Sequence, residues 1–524
     1  MKYFNKTTYI AIAVAVIAYL FINPYYLFPD GQGCFSYLSS LFYDGDLDFY
    51  NDFINMKIPV PLALTDTNYI ANNWSFGTAF FWTPFYLIAK LLAETTVNPY
   101  GPWFWFWVNS GTVFYGILTF FLLLMILKAM GYAGKKWLIA AAAFIGTPMF
   151  FYTFTISSTA HGISAFIVSL FLWVWLYSKP KENKAGEAEK NLYGKYIILG
   201  FLLGMAFMVR PQEALFGIVV LAELGFSLKQ ETLKAIKKLI YFSAAFVIGV
   251  SPQLIIWKII YGSFYYAPSK FNLSLKYFSL SQALFSPYHG IFMWSPVFFV
   301  AFTGLLLGLL RYPKIFTGLI LAITGQLFVN SCCVAYWEGY SFGLRQMVSS
   351  LPIVAVGLAE FIMFFKSRQK PVKAFGYILI VIPCLWAFGL LLNYYAGLDL
   401  LGYLSTKEII NKQASLIYSL PGIFNKFTGL ARPQAGVFIG MLLFGFMFYL
   451  FLDKLKSLFE KSKYNFIIIC LLIILSGYDI MIIKAHFNKP ERAGVSKDTF
   501  ISPQELDNFF VKQVVEIKER YNLK

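Results

Sequence analysis

The stretch Pro29–Phe53, PDGQGCFSYLSSLFYDGDLDFYNDF, decides how the rest of the chain is interpreted. It follows an apolar run and concentrates acidic side chains in one polar segment: Asp30, Asp44, Asp46, Asp48 and Asp52. The remaining sequence is apolar and basic, with 58% hydrophobic residues and a formal net charge of +17. An acidic segment at the point where a membrane span would emerge predicts a polar loop that carries the chemistry at a membrane surface.

The composition outside this loop is typical of polytopic membrane proteins. Aromatic residues make up 20% of the chain, charged residues only 13%, and the mean hydropathy is +0.63. Apolar runs long enough to cross ~30 Å of hydrocarbon recur along most of the chain. Because lipid-exposed backbone groups must be hydrogen-bonded within their own segment, these runs are predicted to be helices. We therefore expect an all-α, polytopic membrane protein.

The positive charge does not indicate a nucleic-acid partner, because Lys and Arg occur in short loops between apolar runs rather than on a soluble domain. The cysteines have neither metal-ligand spacing nor the density of a disulfide scaffold. They are Cys34, Cys332, Cys333, Cys384 and Cys470. The apolar run at the N-terminus has no cleavage site of the signal-peptide type after it and is predicted to be a retained first span.

The distribution of basic loops predicts the topology through the positive-inside rule. Lys2 and Lys6 place the N-terminus in the cytoplasm, so the large loop 29–102 lies outside. The next basic cluster begins at Lys128 and permits one crossing before it, at 103–130. The competing segment 76–93 contains an internal proline and a lysine, and we expect it to be a helix that lies at the interface.

The later spans alternate so that every strongly basic loop falls on the cytoplasmic side. They are predicted at 137–154, 161–178, 195–209, 212–228, 238–260, 291–310, 315–335, 347–365, 374–393, 434–452 and 464–484. We expect about 13 transmembrane helices in one domain, 1–484, with the large first loop carrying interfacial helices. The tail 485–524 is predicted to be extracytoplasmic.

Ionisable residues near the outer ends of these spans form a second group of candidates. They are His161, Arg210, Glu213, His289, Glu338 and Arg345. Charged groups close to lipid are costly, so their placement on one face predicts a site at the outer leaflet. Each residue taken alone is also explained as an interfacial anchor or a helix cap. Arg345 follows a glycine-bounded turn, GYSFG, and there a functional role is favoured.

Three of the acids, Asp44, Asp46 and Asp48, alternate as at the start of an EF-hand loop. Phe49 and Asn55 occupy the positions where that motif needs Gly and Glu, so the motif fails. A looser divalent-cation site at the three acids remains an alternative. The sharper hypothesis is a general base, because a carboxylate held near apolar surface has its pKa raised towards the working pH.

The class of reaction depends on which activated donor can reach a site at the outer face of the membrane. The sequence has no P-loop and no GxGxxG fingerprint after a strand, so a nucleotide donor is not indicated. A polyprenyl phosphate carrying a sugar fits, because its tail stays in the bilayer while its phosphate meets basic side chains. The alternatives are a polytopic lipid or polysaccharide transporter or flippase, and an assembly subunit. Ionisable residues at helix ends rather than at mid-membrane favour the enzyme.

Six motifs occur in order over about the first two thirds of the chain. They are the acidic pattern at Asp30–Asp52, STAHGISAF at Ser158–Phe166, GFLLGMAFMVRPQEAL at Gly200–Leu215, SPQLIIWKIIYG at Ser251–Gly262, LFSPYHGIFMWSPV at Leu284–Val297 and YWEGYSFGLRQ at Tyr336–Gln346. Together they resemble the GT-C membrane glycosyltransferases of family 39 type, which include protein O-mannosyltransferases and the lipid A aminoarabinose transferase.

The resemblance implies a GT-C-like fold and an inverting transfer of a sugar from a polyprenyl-phosphate-linked donor. The acceptor would be a protein, lipid or glycan at the extracytoplasmic face of the cell membrane, most simply a bacterial inner membrane. No cofactor is expected to be required. Membrane lipids are expected partners, and nucleic acid is not.

The resemblance also implies roles for individual residues. Asp30 becomes the catalytic base and Asp46 a second acid of the catalytic loop. Arg345 becomes the ligand for the donor phosphate, with Arg210 and His289 as further candidates.

A last set is expected to contact the acceptor or support the site: His161, Trp337 and Glu338. The family places a second carboxylate near the outer end of the span where this chain has His161, so the role of that acid is in question here.

Overall fold

The computed structural model describes residues 25–94, 96–132, 134–177, 187–266, 274–333, 341–366, 368–396, 400–416, 418, 464–488 and 499–520. The predicted first span and the predicted span 434–452 lie outside these residues.

The described chain is built from α-helices joined by turns and by longer loops such as 56–76. In chain order they are α1 Pro29–Ser39, α2 Tyr50–Asn55, α3 Gly77–Leu92, α4 Pro102–Ala129, α5 Lys136–Gly146, α6 Ala160–Tyr177, α7 Glu187–Val209, α8 Ile218–Tyr261, α9 Leu280–Phe285, α10 Ile291–Trp294, α11 Val297–Leu309, α12 Pro313–Ser331, α13 Leu351–Lys366, α14 Lys370–Tyr395, α15 Thr406–Ala414, α16 Tyr464–Phe487 and α17 Pro503–Arg520. Short 3₁₀ segments at Pro211–Gly217 and Arg345–Ser350 precede α8 and α13.

Eight helical segments of the described residues are long and apolar enough to cross a membrane. They are Pro102–Ala129, Ala160–Tyr177, Pro211–Leu228, Glu231–Tyr261, Pro313–Ser331, Arg345–Lys366, Lys370–Tyr395 and Phe466–Phe487. Three further predicted spans coincide with shorter apolar helices, Lys136–Gly146, Tyr193–Val209 and Val297–Leu309. The prediction of an all-α, multi-pass membrane protein is confirmed.

Two predicted spans are broken by proline. The span predicted at 137–154 divides into α5 and a π-turn, because Thr147 is extended immediately before Pro148 (φ −116°, ψ 166°). The span predicted at 291–310 divides into α10 and α11 at Pro296. Proline lacks the N–H that continues a helix, and hydrophobicity alone does not reveal this.

The stretch α8 contains two other predicted spans, 212–228 and 238–260. It consists of two helices that meet at Glu231, whose backbone is not helical (φ −143°, ψ 57°), so the two spans are separate segments, Pro211–Leu228 and Glu231–Tyr261.

The first loop is a folded structure and packs against the C-terminal tail. Ile501 donates its N–H to the Leu62 carbonyl (3.0 Å) and accepts a bond from the Leu64 N–H (2.9 Å). The Tyr69 hydroxyl lies 2.7 Å from Nδ1 of His486 at the end of α16. The loop and the tail therefore lie on one face of the helical bundle, and the side of the membrane to which this face turns stays a prediction.

Candidate functional site

Asp30 lies in the first turn of α1, one residue after Pro29. The Phe28 N–H donates to Oγ of Ser158 (2.9 Å), and a Cβ on Gly31 would lie only 2.3 Å from the Ser158 carbonyl oxygen. Gly31 therefore lets the first turn of α1 dock against the segment before α6. A carboxylate at this place is favoured by the partial positive charge of the helix N-terminus.

Both oxygens of the Asp30 carboxylate are engaged by groups from distant parts of the chain. Nε1 of Trp74 donates to Oδ1 at 3.0 Å, and Nη1 of Arg345 donates to Oδ2 at 3.0 Å. The Arg345 side chain is 16% exposed and the Asp30 side chain 35% exposed. Arg345 is thus largely shielded from solvent, whereas the Asp30 carboxylate is accessible to a substrate.

Trp74 was not anticipated from the sequence. Its indole packs directly on the backbone of α1, because a Cβ on Gly33 would lie 1.9 Å from the ring. Its backbone carbonyl accepts a bond from the Tyr37 hydroxyl (2.8 Å), and its N–H donates to Oδ1 of Asn72 (3.1 Å). The contact to Asp30 joins residues 44 positions apart, and no local motif marks it.

A second cluster joins α6 to the turn before α8. Nη1 of Arg210 lies 3.0 Å from Nδ1 of His161 and 3.8 Å from Oε1 of Glu213. Glu213 is fully buried and also accepts a bond from Oγ of Ser164 (3.0 Å). Arg210 is extended because a proline follows it. The buried carboxylate therefore balances the charge of an arginine whose position is fixed.

The two clusters adjoin. Nε2 of Gln212 donates to the carbonyl of Gln346, the residue after Arg345 (3.2 Å). Oε1 of the same Gln212 accepts a bond from Nη2 of Arg210 (3.3 Å). The structure thus brings together five of the candidate residues from the sequence: Asp30, His161, Arg210, Glu213 and Arg345.

His289 stands behind this site. It is fully buried, has a left-handed backbone (φ 65°), and its Nδ1 lies 3.0 Å from Oγ of Ser341. Phe342, the residue after Ser341, donates its N–H to the Tyr152 hydroxyl (2.7 Å). The Tyr152 ring packs on His161. His289 therefore holds the turn that leads to Arg345. Trp337 and Glu338 lie outside the described residues.

Asp46 and its neighbours do not join Asp30. Asp46 packs against Ser40, ten residues after Asp30, so the length of α1 separates the two acids by about 15 Å along the axis. Oδ1 of Asp46 accepts bonds from Oγ of Ser40 (2.8 Å) and the N–H of Asp48 (2.9 Å). Burial raises the pKa of the Asp46 carboxyl. In this arrangement Asp46 shapes the loop.

The remaining acids of the loop also bond within it. Oδ2 of Asp44 accepts bonds from Asn51 (3.0 Å) and the Tyr100 hydroxyl (3.3 Å), and burial raises the pKa of its carboxyl. Asp52 is fully buried against Ser39, and burial raises the pKa of its carboxyl well above the usual range.

The cation alternative at Asp44, Asp46 and Asp48 stays a prediction. One oxygen of each acid has a partner in the loop; Oδ1 of Asp48, for example, accepts a bond from the Tyr50 N–H (3.2 Å). In the part of the chain that the structure describes, no group of three or more His, Cys, Asp or Glu side chains is arranged to hold a metal ion.

Comparisons with known proteins gave one structural similarity. No family model and no curated protein matches the sequence. The chain is similar to the crystal structure of ArnT from Cupriavidus metallidurans bound to undecaprenyl phosphate, with a TM-score of 0.46 and 14% sequence identity over 92% of this chain and 77% of that chain.

Proposed function

We propose that this protein is an integral membrane glycosyltransferase that moves a sugar from a polyprenyl-phosphate-linked donor to an acceptor. One observation carries the proposal: a partly exposed carboxylate, Asp30, contacts a shielded arginine, Arg345, on the face formed by the first loop. A base for the acceptor and a cation for the lipid phosphate are the two groups that this chemistry needs.

Asp30 is proposed as the general base. It accepts the proton of the acceptor hydroxyl or amine while the acceptor heteroatom forms a bond to the anomeric carbon. The bond from that carbon to the phosphate oxygen breaks, and its electron pair leaves with the lipid phosphate. The stereochemistry is therefore inverted in a single displacement.

Arg345 is proposed to bind the donor phosphate and to stabilise its charge as it departs. An in-line displacement places the base and the leaving group on opposite sides of the anomeric carbon. The 3.0 Å contact between Asp30 and Arg345 must therefore lengthen when both substrates are bound. The ion pair is the resting arrangement, and the phosphate replaces the carboxylate as the partner of Arg345.

Arg210 is proposed as a second phosphate contact, because Glu213 and Gln212 fix its position next to Arg345. His161, which Arg210 contacts, is proposed to orient the acceptor. His289 supports the Arg345 turn from behind. Asp46 is proposed to act only through the shape of the loop, because its carboxylate is turned to Ser40.

The proposed setting is the cell membrane, with a cytoplasmic N-terminus and with the site and tail outside. The basic loops support this orientation through the positive-inside rule. The acceptor is proposed to approach through the outer loops that border Asp30.

A lipid transporter or flippase is the second candidate. One observation favours it: the buried Lys195 ammonium lies 3.4 Å from Oε1 of the partly exposed Glu223, between α7 and α8, and ionisable groups on membrane helices occur in transport pathways.

The test is to incubate the purified protein in detergent with polyprenyl-phosphate sugars and to measure the lipid phosphate released. The transferase releases it in an acceptor-dependent reaction, and the Asp30→Asn variant does not. Movement of labelled lipid between leaflets without release would contradict the proposal and support the transporter.

A further inference from the structure

We propose that Trp74 is a positioning residue that keeps the Asp30 carboxylate in its reactive orientation after Arg345 has turned to the donor phosphate. This inference rests on the proposed function and adds to it a residue that the family resemblance does not assign.

The two anchors of Asp30 differ in chemistry. Arg345 is a cation on a flexible stem, and a phosphate competes directly for it. The indole of Trp74 is neutral and offers a single N–H donor, so a phosphate gains less from it than from the charged guanidinium with its five donors. When the donor lipid enters, the arginine contact is exchanged and the indole contact remains.

Trp74 is also built into the rigid part of the loop. Its ring packs on Gly33. Its backbone carbonyl accepts a hydrogen bond from the Tyr37 hydroxyl, and its backbone N–H donates one to Oδ1 of Asn72. The amide of Asn72 in turn donates to the Gly33 carbonyl (2.9 Å). The indole and α1 therefore form one unit, and the indole N–H stays aimed at the first turn of the helix.

This unit extends to neighbouring elements. The Tyr261 hydroxyl at the end of α8 donates to the Asn72 carbonyl (2.9 Å), and the Tyr266 hydroxyl donates to Oδ1 of Asn73 (3.2 Å). The two tyrosine rings stack with their centroids 3.6 Å apart. The segment that carries Trp74 is thus fixed by contacts that do not involve Arg345.

The experiment compares Trp74→Phe with Trp103→Phe. Trp103 provides a matched control, because its indole N–H donates to the Ala89 carbonyl (3.0 Å) away from the site. Loss of one hydrogen bond to a charged group corresponds to about 10- to 100-fold in rate. We expect Trp74→Phe to lower kcat by about 10- to 100-fold while KM for the donor stays within about twofold. Trp103→Phe keeps the wild-type kcat.

The pH profile separates positioning from a general loss of structure. Without the indole donor the ionised carboxylate loses a partner, so the acidic limb of kcat moves to higher pH in Trp74→Phe. If Trp74→Phe does not fold, benzothienylalanine at position 74 keeps the ring shape and removes only the N–H. We expect the same fall in kcat from that substitution.

Wild-type kcat and an unshifted pH profile in either substituted protein, together with an inactive Asp30→Asn variant, would overturn the role of Trp74 and leave the transferase intact. Absence of lipid-phosphate release from the wild-type protein with every donor would remove the proposed function and this inference with it.

Discussion

The Asp30 carboxylate and the Arg345 guanidinium lie 3.0 Å apart, although 315 residues separate them in the chain. The contact joins the first turn of α1 to the turn before α13. It places the proposed base and the proposed phosphate ligand in direct contact. In the proposed reaction the donor phosphate replaces Asp30 as the partner of Arg345, and the acceptor replaces Arg345 as the partner of Asp30.

Asp30→Asn is expected to lower transfer by about 10²- to 10⁴-fold, because the amide cannot take the acceptor proton and this is the usual contribution of general-base catalysis. The measurement is acceptor-dependent release of lipid phosphate. Asp66→Asn is the matched control, since Asp66 is an exposed acid of the same loop. Substantial activity in Asp30→Asn with a wild-type melting profile would remove Asp30 from the role of base.

Arg345→Ala is expected to raise KM for the lipid donor by about 10- to 100-fold, the effect of losing a charge-assisted contact to phosphate. Arg345→Lys should have a KM for the donor between those of the wild type and Arg345→Ala, because lysine keeps the charge but not the planar guanidinium. Arg368→Ala, at an exposed arginine after α13, serves as the control. An unchanged KM for the donor in Arg345→Ala would contradict its role.

Glu213→Ala is expected to destabilise the protein by about 3 kcal/mol, because it leaves Arg210 without its buried carboxylate. Glu213→Gln should cost less, since an amide oxygen still accepts the bond from Ser164. Thermal unfolding in detergent measures both variants. Equal melting temperatures for Glu213→Ala and the wild type would show that the buried pair contributes nothing to stability.

Asp52→Asn is expected to flatten the dependence of stability on pH. Burial raises the pKa of the Asp52 carboxyl well above its usual value, so the folded state binds this proton more tightly than the unfolded chain. Stability therefore falls as the pH rises from about 4, the unfolded value, through the raised folded value. The asparagine variant does not ionise and loses this component.

Melting temperatures measured from pH 5 to pH 9 check the prediction for Asp52. Residual slope in Asp52→Asn is assigned to Asp44 and Asp46, whose carboxyl pKa values are also raised by burial. Asp66→Asn controls for the change in net charge. An identical pH slope in Asp52→Asn and the wild type would refute the prediction.

Ile501→Pro is expected to detach the C-terminal tail from the first loop, because proline lacks the N–H that Ile501 donates to the Leu62 carbonyl. Limited proteolysis then cuts the tail faster than in the wild type. Ile501→Val keeps the N–H and provides the control. Equal cleavage rates for Ile501→Pro and Ile501→Val would show that this backbone bond does not hold the tail.

Much of the fold was predictable because membrane helices are specified locally. A run of about 20 apolar residues forms a helix wherever it occurs, and α4, α6 and α14 lie close to their predicted ranges. The breaks before Pro148 and at Pro296 were missed, since the hydrophobic runs continue across them. The topology and the roles of the site residues stay predictions.

The sequence by itself determined an all-helical membrane protein with an acidic first loop and basic groups at helix ends, because length, hydrophobicity and charge are properties of short segments. Only the tertiary structure decided which of these groups meet. It paired Asp30 with Arg345, added Trp74, and placed Asp46 at the far end of α1. Such contacts depend on how distant helices and loops pack together, and no local pattern in the chain encodes that packing.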